Sequence, residues 1–134
     1  MSQSFKGLVD RTITTVDLTG VGSIRNCAFY DCTSLTSVTM PSSVTRLGDF
    51  AFFGCTSLTS VTISSGVTSL GDYAFAGCSN LTTMTMQPTT PPTLGYVALP
   101  ALSNISAIYV PSASLSAYQS ASGWSNYASK MVGV

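Results

Sequence analysis

The residues of this chain whose types could do chemistry are four cysteines and five aspartates. Cys32, Cys55 and Cys78 recur every 23 residues, and Cys27 precedes them. Structural zinc needs four convergent ligands, commonly supplied in CxxC pairs, and the sequence contains no such pair. An even count in a short chain also permits two disulfides. A fixed period instead gives the three one repeated structural role, that of a small buried apolar residue. Neighbouring copies would bring their Cβ vectors parallel, which suits disulfide geometry poorly. Asp49 and Asp72 share the 23-residue spacing with Asn26. Two carboxylates and an amide fall short of the about 6–8 oxygens that calcium takes. Helix N-capping accounts better for Asp or Asn at one recurring position. The many serines have no histidine to activate them, because the chain has none. A G-x-S-x-G elbow and a G-x-x-x-x-G-K-[ST] phosphate loop are both missing. The expectation is a non-enzymatic protein with no catalytic residues, metal or cofactor.

Composition narrows the class further. Five basic residues balance five acidic ones, and charged residues make up 7% of the chain. That leaves no basic footprint for nucleic acid and no polybasic patch for a membrane surface. At 45% hydrophobic, the chain has the means to build a core rather than stay disordered. Its 134 residues suit a single domain. No stretch approaches the ~20 apolar residues of a transmembrane helix, so membrane insertion is not expected. The start, MSQSFKGLVDRTIT, carries no visible secretory signal.

The elements that must position these residues come from a repeat. Residues 25–47, RNCAFYDCTSLTSVTMPSSVTRL, match residues 48–70, GDFAFFGCTSLTSVTISSGVTSL, at 14 of 23 positions. Residues 71–93 continue the pattern, 95–110 are a degenerate copy, and 13–24 a partial one. Apolar columns run through the copies: Ile13, Leu35, Leu58, Leu81 and Ile105; Val16, Val38, Val61, Met84 and Ile108; Phe29, Phe52, Phe75 and Leu99. A single 23-residue coil cannot bury its own apolar side, so stacking must create the core. Segments such as LTSVTM alternate β-branched or apolar with hydroxyl residues, the period of a half-buried strand. Copies stacked in one direction then give a parallel sheet along one side, with strands centred on 15–17, 37–39, 60–62, 83–85 and 107–109. SSVTRL and SGVTSL also read as extended. GDFAFFGC reads as a short helical turn, with Asp49, Asp72 and Asn26 as N-caps. Gly54, Gly77 and Asp31 stand where a left-handed exit belongs.

The AFxGCTSLTSVTI…SSVTSLGDYAF pattern resembles the BspA-like leucine-rich repeats of bacterial surface and phage-associated proteins, over about residues 13–111. The tail from Ile108 to Val134 also resembles the segment that closes such arrays. The resemblance implies a right-handed leucine-rich-repeat solenoid, α/β and β-rich, of about five coils of 22–24 residues with short helical turns and a C-terminal cap. It also implies adhesion or protein binding at an extracellular or cell-surface location, with no motif-defined functional residues to carry over.

On this reading one repeat domain spans 1–134, with an N-terminal cap at 1–12, repeats at 13–111 and a C-terminal cap at 112–134. Phe5, Leu8 and Val9 are expected to cover the first coil. Ser114 or Ser112 caps a helix carrying Leu115, Tyr118 and Ala121, and Trp124 and Tyr127 add apolar area. Val132 and Val134, 24 residues after Ile108 and Val110, extend the strand columns. The prolines of QPTTPPT (87–93) mark an irregular corner rather than a linker. The outward strand columns form a polar face in which Ser37, Thr39, Ser60, Thr62, Thr83, Thr85 and Tyr109 are the candidate contacts for a protein or glycan partner. The aromatic set Tyr30, Phe50, Phe53 and Tyr73 is a second candidate surface. A structural component or spacer of a larger assembly, such as a phage particle, is the alternative to a recognition module.

Overall fold

The computed structural model describes residues 4–5, by their backbone, and 11–134. In chain order the strands are β1 (Ser4–Phe5), β2 (Thr15–Asp17), β3 (Ser23–Ile24), β4 (Ser37–Thr39), β5 (Arg46–Leu47), β6 (Ser60–Ile63), β7 (Ser69–Leu70), β8 (Thr83–Met86), β9 (Thr93–Leu94), β10 (Ala107–Val110) and β11 (Met131–Gly133). The even-numbered strands and β11 are the repeating main strands, and they fall where the hydroxyl–apolar alternation predicts. All pairings are parallel and join strands of successive coils in register, as in Val61↔Met84 and Met84↔Ile108. The expectation of one sheet needs correction. The main ladder divides into β2–β4 and β6–β8–β10–β11, and a separate ladder of two-residue strands, β1–β3–β5–β7–β9, runs along a second side. This second ladder is the SSVTRL segment seen as extended in sequence. It buries Ile24, Leu47 and Leu70 and turns Arg46 outward.

The third side of each coil, the arm around GDFAFFGC, is not a helical turn. Ala28, Tyr30 and Cys32 donate to the carbonyls of Arg25, Cys27 and Phe29, a succession of β-turns. The intervening amides of Cys27, Phe29 and Asp31 donate to Asp49, Ala51 and Phe53 of the next coil at 2.7–2.8 Å. A helix would direct every amide along its own axis; alternating turns release every second amide to bond the neighbouring coil. Two positions per arm take positive φ to do so: Asp31, Gly54 and Gly77 at one, and Cys27, Phe50, Tyr73 and Val97 at the other. The left-handed exits at Asp31, Gly54 and Gly77 were expected. The second column is occupied by side chains that rarely adopt this conformation. Gly71, just before an arm, answers a different need. A Cβ there would stand 2.5 Å from the backbone carbon of Gly48 in the preceding coil.

The core lies between the three sides. Leu35, Leu58, Leu81 and Ile105 are buried in one column. Phe29, Phe52 and Phe75 stack with ring centroids 5.1 and 5.3 Å apart in another. Burying each such side chain stabilises by roughly 1.5–3 kcal/mol, and each depends on the copies above and below it.

The tail closes the stack as expected in outline, through a 3-10 turn at Ser112–Ser114, helix α1 (Leu115–Ser120) and a 3-10 helix at Trp124–Lys130. Two details differ. Neither Ser112 nor Ser114 caps α1; the Ser114 hydroxyl donates to Thr89 O at 2.7 Å. The strand after the cap, β11, pairs Met131 rather than Val132 with Ile108. That one-residue slip reverses the faces, so Met131 is buried and Val132 exposed. The irregular QPTTPPT corner is the seat of the cap. Tyr118 Oη donates to Pro88 O at 2.7 Å and Trp124 Nε1 to Pro92 O at 2.8 Å. Earlier corners are closed by the next coil, as when the Ser64 hydroxyl donates to Pro41 O. Here the cap supplies the donors. The apolar face expected of Phe5, Leu8 and Val9 lies outside the described residues.

Candidate interaction surfaces

The main strands bury alternate side chains and turn the others to one face. Ser37, Thr39, Ser60 and Thr62 are exposed, and Thr83, Thr85 and Tyr109 are half-buried. Register aligns Ser60 with Thr83, and Thr62 with Thr85 and Tyr109. Beyond them stand Thr15 and Asp17 at one end and Val132 at the other. Off the face, several hydroxyls tie one coil to the next: Thr36 donates to Thr14 O, Thr45 to Gly22 O, Thr68 to Thr45 O and Ser57 to Thr33 O. The six serine and threonine hydroxyls of the face make no side-chain hydrogen bond among the described residues. The one charge on the face, Asp17, accepts from the Thr19 hydroxyl at 2.6 Å and from its amide at 3.0 Å. Those two bonds hold its carboxyl below the usual range.

The aspartate column does not cap helices. Asn26 Oδ1 accepts from the Asp49 amide, Asp49 Oδ1 from the Asp72 amide, and Asp72 Oδ1 from the Tyr96 amide, at 2.7–2.8 Å. Each side chain bonds the coil that follows. The reason lies in the arm: with turns in place of a helix, no row of orphan amides opens within the same coil. Asp and Asn suit the position because both carry a short acceptor.

The cysteine column is buried, as expected of a small apolar filler. It also bonds across coils, with Cys55 Sγ donating to Phe29 O at 3.3 Å and Cys78 Sγ to Phe52 O at 3.0 Å. The hydrogen bond with Cys78, and burial, push the Cys55 thiol up, so it stays protonated. Cys27 is exposed. The three buried sulfurs follow one another coil by coil rather than converging on one point, as a four-ligand zinc site would require.

The aromatic set is more extensive than its sequence suggests. Tyr30 stacks on Phe53 with centroids 5.3 Å apart, and Phe50 on Tyr73 at 5.0 Å. Phe50 and Phe53 join these pairs at 5.4 Å, and Tyr96 meets Tyr73 edge-on at 5.6 Å. Arg11 lies over Tyr30, 5.7 Å from its centroid. Tyr30, Phe50, Phe53 and Tyr73 are half-buried, because their faces are spent on one another. The stripe is thus largely a brace between coils, and its open end is Tyr96. There a groove of roughly 580 Å³ opens between the last arm and the cap, lined by residues including Tyr96, Val97, Leu99, Ala101, Asn126 and Tyr127. Sequence reading missed it, because it forms where the fourth arm departs from the repeat pattern that makes the other arms legible.

Among the described residues, no helix is long and apolar enough to cross a membrane. Comparison with curated proteins finds no match. The family model for the BspA type leucine-rich repeat region matches in six copies across residues 2–125. The parallel ladders and coil-to-coil columns are the structural form of that repeat. The chain belongs to the BspA-type leucine-rich repeat family, which is associated with bacterial surface proteins and is generally non-enzymatic.

Proposed function

We propose that this protein is a non-enzymatic recognition module that binds a protein or glycan partner at a cell surface through the hydroxyl face of its main strands. The observation that supports this reading is that none of the six hydroxyls of this face is spent inside the stack. Several on the other sides are engaged between coils, whereas Ser37, Thr39, Ser60, Thr62, Thr83 and Thr85 keep their donors and acceptors for a partner. A face with Asp17 as its one charge gains little from Coulombic steering, so its contacts rest on hydrogen bonds, Tyr109 and shape. Binding should therefore persist as salt is raised. Replacing Thr39, Thr62 and Thr85 together with lysine should abolish capture of the partner found by glycan array or pull-down, while circular dichroism stays parental. Unchanged affinity in the folded triple variant would remove the hydroxyl face as the site.

A further inference from the structure

The arms are held together by a rule that the last one leaves open. In each arm, amides of alternate residues donate to carbonyls of alternate residues in the next: Phe50 and Phe52 to Asp72 and Ala74, then Tyr73 and Phe75 to Tyr96 and Ala98, all at 2.8–2.9 Å. In the fourth arm the equivalent donors are the amides of Val97 and Leu99. Val97 keeps the positive φ of its column, 50°, so the turn that releases these amides is still made. Neither amide has a hydrogen-bond partner among the described residues. The C-terminal cap does not supply one; in this region Tyr127 Oη donates to Pro100 O instead.

The surroundings fit a polypeptide. Tyr96 (69% exposed) and Val97 (49%) line the groove here as exposed large apolar side chains. The adjoining groove has no charged residue in its lining. Two amide donors two residues apart, beside an apolar uncharged groove, call for carbonyls at the same alternation. A peptide backbone carries that spacing as its own repeat, whereas the acceptors of a glycan follow no such period.

We infer that the end of the fourth arm is a docking site for an extended, uncharged peptide segment of a partner protein. The segment adds one more rung to the arm stack, with alternate carbonyls accepting from Val97 and Leu99 and its side chains against Tyr96 and the groove. This surface is separate from the hydroxyl face.

The probe is an acetylated, amidated heptapeptide copying residues 71–77, with the Asp72 position carried as asparagine to leave it uncharged. Residues 72 and 74 already present their carbonyls to an arm in this way. Hydrogen exchange is followed by NMR. In the protein alone, the Val97 and Leu99 amides should exchange fast while those of Tyr73 and Phe75 are protected. Millimolar peptide should slow both by roughly tenfold or more, leaving the β11 amides unchanged. Val97→Asp places a charge in the groove at a residue type that tolerates positive φ, and should weaken binding by roughly tenfold. Val97→Asn, neutral and equally tolerant, should retain binding. The Thr39, Thr62 and Thr85 lysine variant should also retain it, so the two surfaces fail separately. Slow exchange of the two amides in the free protein overturns the proposal. So does protection confined to β11, full affinity in Val97→Asp, or no protection at millimolar peptide.

Discussion

Trp124 ties the cap to the stack, and its removal tests whether the end of a solenoid governs the whole. Its indole is fully buried, sits edge-on to Tyr118 at 5.2 Å, and donates to Pro92 O. Trp124→Ala removes that area and leaves a cavity between the cap and the last corner. Such truncations cost about 3–5 kcal/mol, against about 5–15 kcal/mol for a typical domain. Unfolding entropy of ~2.1 cal/mol/K per residue implies, for a chain of this size, about 3–4 °C per kcal/mol. The melting temperature should then fall by about 10–18 °C. Trp124→Phe keeps most of the area but leaves Pro92 O without its donor, at a cost of about 1–3 kcal/mol. Thermal melts by circular dichroism give both values, and size-exclusion chromatography reports association through the bared end. Hydrogen exchange adds location: amides of β8 and β10 should lose protection before those of β4, because stability in a repeat array passes between neighbours. If Trp124→Ala melts within about 2 °C of the parent, the cap is an appendage and the reasoning fails.

Further expectations follow from the columns. Asp49→Ala should cost about 1 kcal/mol in urea unfolding by stranding the Asp72 amide, whereas Asp49→Asn should be near neutral, because Asn26 already serves in that column. Equal losses for the two would mean that charge, not the acceptor, is what the position needs. Gly71→Ala should cost more than the about 0.5 kcal/mol scale of an ordinary surface substitution, since its methyl would meet the Gly48 backbone; a parental midpoint would refute that close approach. Stability should be flat between about pH 5 and 8, where only histidine ordinarily titrates and the chain has none. It should fall at alkaline pH. Burial raises Tyr118 and Tyr127. Their contribution is present below the unfolded pKa of tyrosine, about 10, and is lost as pH rises through the folded values. A chemical midpoint unchanged to about pH 11 would contradict it.

The strands were legible because their signal is local: hydroxyl and apolar residues alternate within six positions, and the period repeats the pattern. The arms were not, because GDFAFFGC satisfies the residue preferences of a helical turn as well as those of linked β-turns. What decides between them is the neighbouring coil, which accepts every second amide, and no single copy contains that information. Asp49 was assigned to a cap for the same reason: Asp and Asn are preferred wherever a short acceptor must meet a backbone amide. The register of β11 escaped sequence reading because Met131 and Val132 are both apolar, so the alternation does not say which one faces inward. The pairing of Ile108 with Met131 does.

The same dependence between coils explains why the fourth arm loses the motif. Each column residue serves a neighbour. Asp49 accepts from Asp72 and Asp72 from Tyr96, so an aspartate at position 96 would have to accept from a fifth arm. The cap follows instead, and the position carries Tyr96, 69% exposed and reaching back to Tyr73. Phe52 stacks between Phe29 and Phe75; at the end of that column stands Leu99, a smaller side chain without a ring above it. Degeneracy here therefore has a direction. Residues that serve the preceding coil are kept, as the positive φ of Val97 and the accepting carbonyls of Tyr96 and Ala98 show. Residues that would serve a following coil are replaced by apolar ones. An arm that only terminated the stack would gain from polar residues at its outer edge, as capping repeats do. An apolar edge beside two unpaired amides is the opposite solution, and it is the one that a docking segment would cover.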